Sequence, residues 1–217
     1  MAAVRARVER AAAQAGHAVA LVAVSKTQPA AAVRALAAAG QRAFGENYVQ
    51  EALAKQRELA DLTLEWHCIG PLQSNKCREV AEHFAWLQSL DREKLVEPLA
   101  RHRPAGLPPL NVLLQVNVDA EASKSGCAPG DVPRLAAAVA AARGLRLRGL
   151  MAIPQPHPDP AQRRAAFARM RELFGALARE HPHIDTLSMG MSDDFELAIA
   201  EGATMVRIGS AVFGPRG

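Results

Sequence analysis

The sequence predicts an α/β fold, a single (β/α)8 TIM-type barrel with an extra helix at its N-terminus. Three observations carry this. Eight short, β-rich apolar runs recur along the chain, seven stretches of helical period separate them, and the 217 residues sit near the roughly 200–250 that such barrels occupy. An open, doubly wound sheet is the rival. Eight alternations within one chain, with no composition shift or linker to mark a boundary, favour closure and one domain over residues 1–217.

Each element follows from local pattern. Residues 2–15 mix alanine with charge at helical spacing. The run HAVALVAVS (17–25) is the first strand, and Pro29 and Gly40 bracket a helix over 29–39. Strands are then expected at 42–46, 64–70, 85–90, 109–119, 145–153, 183–189 and 203–209. Helices are expected between them at 47–60, 74–82, 91–102, 129–143 (closed by Gly144), 160–180 and 193–201. Only SAVFGPRG follows the eighth strand. That is too short for a full outer helix, so the N-terminal helix is expected to fill the gap.

Composition narrows the function classes. The chain is 49% hydrophobic and 22% charged, which suits a globular fold. No apolar run approaches the ~20 residues of a membrane span, and the N-terminus lacks the apolar core of a signal peptide. Three widely spaced cysteines, Cys68, Cys77 and Cys127, fit reduced thiols in a cytoplasm. The net charge is +4 and the isoelectric point about 9.3, but only five lysines stand beside 21 arginines spread along the chain. Aromatics are 4%, which leaves few platforms for stacking bases. Nucleic-acid and membrane partners are not expected.

In this barrel class chemistry sits where strands end and their loops begin. Lys26 ends the first strand, Asn47 follows the second, His67 lies in the third and Met151 ends the sixth. A lysine at a barrel mouth can act as an amine nucleophile toward a carbonyl. It can equally be a lysine that reaches solvent, and the pattern leaves both open. The segments SMGMS (188–192) and RIGS (207–210) follow strands seven and eight, where such barrels bind phosphate through backbone N–H groups. Gly190 and Gly209 allow close backbone approach, and Ser188, Ser192 and Ser210 offer hydroxyls. Ser192 also stands where a helix N-cap is expected. Arg207, between Val206 and Ile208, should point into the barrel mouth. Its guanidinium would meet either a ligand acceptor or an internal carboxylate. His67, Cys68, Cys77 and His83 lack metal-ligand spacing, so no metal is expected.

The strings AVSKTQP (23–29), RAFGENYVQEA (42–52), EWHCIGPLQSNK (65–76), VNVDAEASKSG (116–126), LRGLMAIP (147–154) and LSMGMSDDFELAIAEGATMVRIGSAVFG (187–214) resemble those of the pyridoxal phosphate homeostasis proteins, the YggS/PROSC family. The resemblance spans about residues 17–216. It implies a fold-type III barrel similar to the N-terminal domain of alanine racemase, with pyridoxal 5′-phosphate as cofactor. It implies a covalent Schiff base at Lys26, with Ser188, Gly190, Ser192, Gly209 and Ser210 around the phosphate and Arg207 near the pyridine nitrogen. Asn47, His67 and Met151 match motif positions near the cofactor. Lys124, in the SKSG loop, is a second candidate amine or a solvated loop lysine. Cys68 stands where the family usually has Phe.

The implied function is a non-enzymatic carrier and buffer of pyridoxal phosphate that maintains intracellular vitamin B6. It would be a cytoplasmic monomer, with apo-enzymes that use the cofactor as candidate recipients. The alternative is an amino-acid racemase of the same fold type. An arginine at the pyridine nitrogen makes a weak electron sink. Alanine racemase-like enzymes also take a second, tyrosine base from an extra domain of the partner subunit. The one tyrosine here, Tyr48, is expected to pack at a helix start.

Overall fold

The computed structural model describes residues 1–119 and 125–214; Lys124 lies outside them. Eight parallel strands close into a barrel in sequence order. They are β1 (Ala20–Val24), β2 (Ala43–Glu46), β3 (Glu65–Cys68), β4 (Trp86–Leu90), β5 (Leu110–Val116), β6 (Leu145–Ala152), β7 (Thr186–Ser188) and β8 (Met205–Ile208). Closure is the β1–β8 pairing, which sets Leu21 beside Val206 and Val22 beside Arg207. All eight expected strands are present, trimmed at their ends.

Nine helices surround the barrel among the described residues: α1 (Ala2–Ala15), α2 (Ala30–Ala38), α3 (Val49–Glu58), α4 (Cys77–His83), α5 (Val96–His102), α6 (Val132–Ala141), α7 (Pro160–Glu180), α8 (Phe195–Ala200) and α9 (Ser210–Phe213). Short 3-10 turns at Ser74–Lys76, Glu93–Leu95 and Pro129–Asp131 precede α4, α5 and α6. The helical periods read at 74–82, 91–102 and 129–143 thus begin in the tighter helix that often opens a helix N-terminus.

Alternation along each strand divides the side chains into two cores. Val22, Trp86, Leu113, Met151 and Met205 pack together inside the barrel. Phe44, Leu87, Val112, Leu147 and Val206 belong to the larger core that also holds the buried faces of the helices. In α1 the buried residues are Val4, Val8 and Ala11, one helical face. Full burial of each valine is worth about 1.5–3 kcal/mol. The helix packs against α8, where Arg7 clasps Glu196 at 2.9 and 3.0 Å and lies over the Phe195 ring. With α9 only four residues long, α1 supplies the extra outer helix that the sequence called for.

Candidate functional site

A cavity of about 210 Å³ opens at the mouth where the strands end. Val24 and Lys26 come from the end of β1, Asn47 from β2, Ile69 and Pro71 from β3, Gln115 from β5, Ile153 from β6 and Arg207 from β8. Val24 lines the cavity, so Ser25 faces outward and Lys26 inward again, by the period of two. The loop geometry fixes this end. Thr27 has φ +65°, the one described non-glycine residue with positive φ. Gly70 leaves no room for a side chain, because a Cβ there would lie 2.2 Å from the Asn47 carbonyl oxygen. Glycine is what lets the ends of β2 and β3 approach beneath the rim.

The segments after β7 and β8 come together at the same end. The Arg207 N–H donates to the Gly190 carbonyl at 3.0 Å. Ser210 Oγ donates to Ser192 Oγ at 3.0 Å, and the Ala211 N–H reaches the same oxygen at 3.3 Å. Gly190 has φ +94°, and a Cβ on it would meet that of Ala198 at 2.6 Å. A Cβ on Gly209 would stand 3.4 Å from Val24, a cavity residue. Ser192 does not cap α8. Asp194 occupies the cap position, and its carboxylate folds back to accept the Met191 N–H at 2.7 Å. Burial raises the Asp194 carboxyl, with that hydrogen bond opposing.

Three other predicted site residues, His67, Met151 and Ser188, lie inside the barrel and do not line the cavity. Met151 is part of the interior apolar cluster. Ser188 and His67 belong to a buried relay that begins at Arg207. Arg207 donates to Ser188 Oγ at 2.6 Å and to the Ala152 carbonyl at 2.9 Å. Ser188 Oγ donates to Gln88 Oε1 at 2.7 Å. Gln88 Nε2 donates to His67 Nδ1 at 2.9 Å, and His67 Nε2 meets Glu65 Oε1 at 2.9 Å. Every donation runs toward Glu65, which assigns His67 as the neutral Nε2–H tautomer. Burial depresses the His67 pKa despite Glu65, and the ring stacks on Trp86 with centroids 5.3 Å apart.

Arg207 is fully buried, and burial lowers its pKa to about 10, with Asp194 opposing. It remains a cation at neutral pH. Among the described residues it has no ion pair; two of its five N–H donors go to the neutral acceptors Ser188 and Ala152. The internal carboxylate partner considered from sequence is therefore absent there.

One feature of the site was missed by sequence reasoning. Behind Lys26, between β1, β2 and α3, Lys55 is buried and donates to three acceptors: the Ser25 carbonyl at 2.6 Å, and Glu46 Oε1 and Glu51 Oε1 at 2.7 Å each. Burial pushes the Glu46 carboxyl upward, against its bonds from Lys55 and Ser25. The one legible signal was the i, i+4 pair Glu51 and Lys55. Cys68 is buried, and its thiol is pushed up to about 12 by that burial. Tyr48 does not pack at the start of α3; it is 61% exposed and does not line the cavity.

The family described as alanine racemase, N-terminal domain, matches residues 1–217. The pyridoxal phosphate homeostasis protein of Pseudomonas aeruginosa is 63% identical over 216 residues, covering 98% of this chain and 93% of the relative. The chain belongs to the pyridoxal phosphate homeostasis protein family. The Escherichia coli K12 member is 52% identical over 222 residues, covering 100% of this chain and 95% of its own length. Another similar structure is that of PipY from Synechococcus elongatus, solved with pyridoxal phosphate bound. It has a TM-score of 0.84 and 42% identity, over 96% of this chain and 100% of that one. Alanine racemase from Corynebacterium glutamicum shares the fold, with a TM-score of 0.69 at 22% identity, over 95% of this chain and 58% of the racemase.

Proposed function

We propose that this protein binds pyridoxal 5′-phosphate at the barrel mouth and holds it through Lys26, carrying and buffering the cofactor without acting on amino acids. The observation that carries the reading is the pairing of an inward Lys26 with a buried, cationic Arg207 across one small cavity. The donor set fits the group. Lys26 supplies an amine for an aldehyde, and Arg207 presents only donors to a ring nitrogen acceptor. The backbone around Gly190 and Gly209, with the Ser192–Ser210 hydroxyl pair, offers polar hydrogens for a phosphate. The PipY complex with pyridoxal phosphate supports the assignment through its 42% identity to this chain.

The cofactor supplies a reactive aldehyde that forms a reversible Schiff base with a lysine amine, releasing water. The chain's own residues do the rest. Asn47 and Gln115 contribute polar groups on the cavity wall, and Ile69 and Ile153 contribute apolar cover. Ser188, His67 and Met151 act from beneath, the first two by fixing Arg207 through the relay. Arg207 has no proton acceptor to offer a ring nitrogen, so the ring stays a weak electron sink. The only tyrosine, Tyr48, does not reach the cavity, which leaves no phenolic second base in this chain. Both features favour holding over racemisation.

Among the described residues, no helix is long and apolar enough to cross a membrane, and no cluster of His, Cys, Asp or Glu is placed to hold a metal. The reading includes a cytoplasmic, monomeric barrel of one domain that passes the cofactor to apo-enzymes. The test is a spectroscopic titration of the purified protein with pyridoxal phosphate, followed by added amino acids. A visible band that builds to one equivalent, with no turnover of L- or D-alanine, supports the reading. Racemisation of alanine at a catalytic rate, or no band, refutes it.

A further inference from the structure

We infer that the buried Lys55, with Glu51 and Glu46, is a positioning device that clamps the two peptide groups on either side of Lys26 and so aims its amine into the cavity. The inference rests on the reading of Lys26 as the attachment point. β1 ends at Val24, so Lys26 keeps the inward phase of the strand but lies beyond the regular ladder, and what holds it in that phase must come from outside the ladder. The Ser25 N–H still bonds to the Gly45 carbonyl at 2.9 Å. After that residue, α3 takes over. On the N-terminal side of Lys26, the Ser25 carbonyl accepts from Lys55 Nζ at 2.6 Å. On the C-terminal side, the Thr27 N–H donates to Glu51 Oε1 at 2.6 Å. One peptide group is gripped by a cation through its carbonyl, the next by an anion through its N–H. Charge-assisted bonds of this kind are about twice as strong as neutral ones.

The two grips share parts. Glu51 Oε1 also accepts from Lys55 Nζ at 2.7 Å, and Glu46 Oε1 binds both Lys55 Nζ at 2.7 Å and Ser25 Oγ at 2.5 Å. The three hydrogens of the Lys55 ammonium meet three acceptors, so this buried lysine is engaged in anchoring. Two observations show that the arrangement holds the chain against local preference. Thr27, a β-branched residue, sits at φ +65°, a conformation that persists only where surroundings over-determine it. Glu46 Oε2 is buried with no hydrogen-bond partner among the described residues, a cost that the surrounding packing must offset.

The clamp's hydrogen bonds fall on the Ser25 carbonyl and the Thr27 N–H that flank Lys26, and among the described residues none of them reaches Gly190 or Gly209. Its loss should therefore slow covalent attachment while sparing phosphate-dependent binding. The experiment compares the full-length protein with Glu51→Ala and Glu51→Gln. Glu51 is 27% exposed and lies in a helix, where alanine is well tolerated, and glutamine keeps an acceptor oxygen for the Thr27 N–H. Two quantities are read. One is the rate at which a borohydride-reducible adduct forms with pyridoxal phosphate, mapped to its lysine by peptide mass. The other is the affinity for pyridoxine 5′-phosphate, which carries ring and phosphate but no aldehyde.

The expected result is attachment slowed about tenfold or more in Glu51→Ala, recovery to within about threefold in Glu51→Gln, and unchanged pyridoxine phosphate affinity in both. Attachment at the parent rate in Glu51→Ala overturns the clamp. So does a parallel fall in pyridoxine phosphate affinity, which would signal general loosening of the barrel. Absence of an adduct on Lys26 in the unmodified protein refutes the attachment reading itself, and the clamp with it.

Discussion

Replacing Gln88 with methionine breaks the buried relay at its centre with little change in volume. Gln88 gives one hydrogen bond to His67 Nδ1, takes one from Ser188 Oγ, and contacts Met205 sulfur at 3.2 Å. The variant leaves the Ser188 hydroxyl without its acceptor and the His67 ring nitrogen without its donor, both fully buried. Each orphaned group costs about 1–3 kcal/mol, so the single change should remove roughly 2–6 kcal/mol of stability. For a chain of this size that is a fall in Tm of about 4–24 °C. Urea unfolding followed by circular dichroism measures it. The companion variant Ser188→Ala leaves Gln88 Oε1 and one Arg207 N–H unpaired and should also destabilise, but the double variant should cost less than the sum, because the orphaned Ser188 hydroxyl of one single variant and the orphaned Gln88 Oε1 of the other are both gone. A loss below about 0.5 kcal/mol for Gln88→Met, or strict additivity in the double variant, would refute the relay as described.

The other predictions concern pH, the rim and the ring contact. Burial holds the His67 imidazole below its ordinary value of 6.5, so the unfolded chain takes up a proton that the folded chain refuses; stability should be full above that value and decline as pH falls from about 6.5 toward 5. The raised Glu46 carboxyl acts in the opposite direction above 4.5, so the His67 contribution is read as the difference in slope between the parent and His67→Gln, and equal slopes would contradict it. Gly70→Ala forces a methyl against the Asn47 carbonyl and should cost about 1–3 kcal/mol while weakening pyridoxal phosphate binding; unchanged affinity and melting would show that the rim yields freely. Arg207→Glu offers an acceptor to a ring nitrogen, favouring its protonation, so slow Cα–H exchange of amino acids in deuterated water should rise above the parent's level. Normal cofactor content with no spectral or exchange change would place Arg207 away from the ring.

Much of this was legible from local pattern. The strands could be read because each is a short apolar run between turn residues, and once β1 and β8 are placed, a period of two directs Lys26 and Arg207 inward. The N-terminal helix was legible from a missing partner, the stub after β8. What escaped depends on register and on distant segments. Nothing local to Gln88 or Glu65 announces a relay, because its members come from β3, β4, β7 and β8 and meet only in the closed barrel. Ser192 has the right residue type and place for a cap, but Asp194 lies closer to α8 and takes the Met191 N–H instead. Lys55 reads as one more charge on the amphipathic α3; its burial follows from Glu46 facing outward from β2 at the same level. Tyr48, at the position before α3, turns to solvent where an aromatic was expected to pack.

The central claim is that Lys26 holds the cofactor covalently while other residues hold its phosphate. Borohydride reduction of the pyridoxal phosphate-loaded protein, with peptide mass mapping and a parallel measurement on Lys26→Ala, tests it most directly. The account predicts one modified lysine, Lys26, in the parent, and in the variant no reducible adduct but retained, weaker, phosphate-dependent binding. A reducible adduct of the same stoichiometry in Lys26→Ala, on Lys124 or any other lysine, would contradict it.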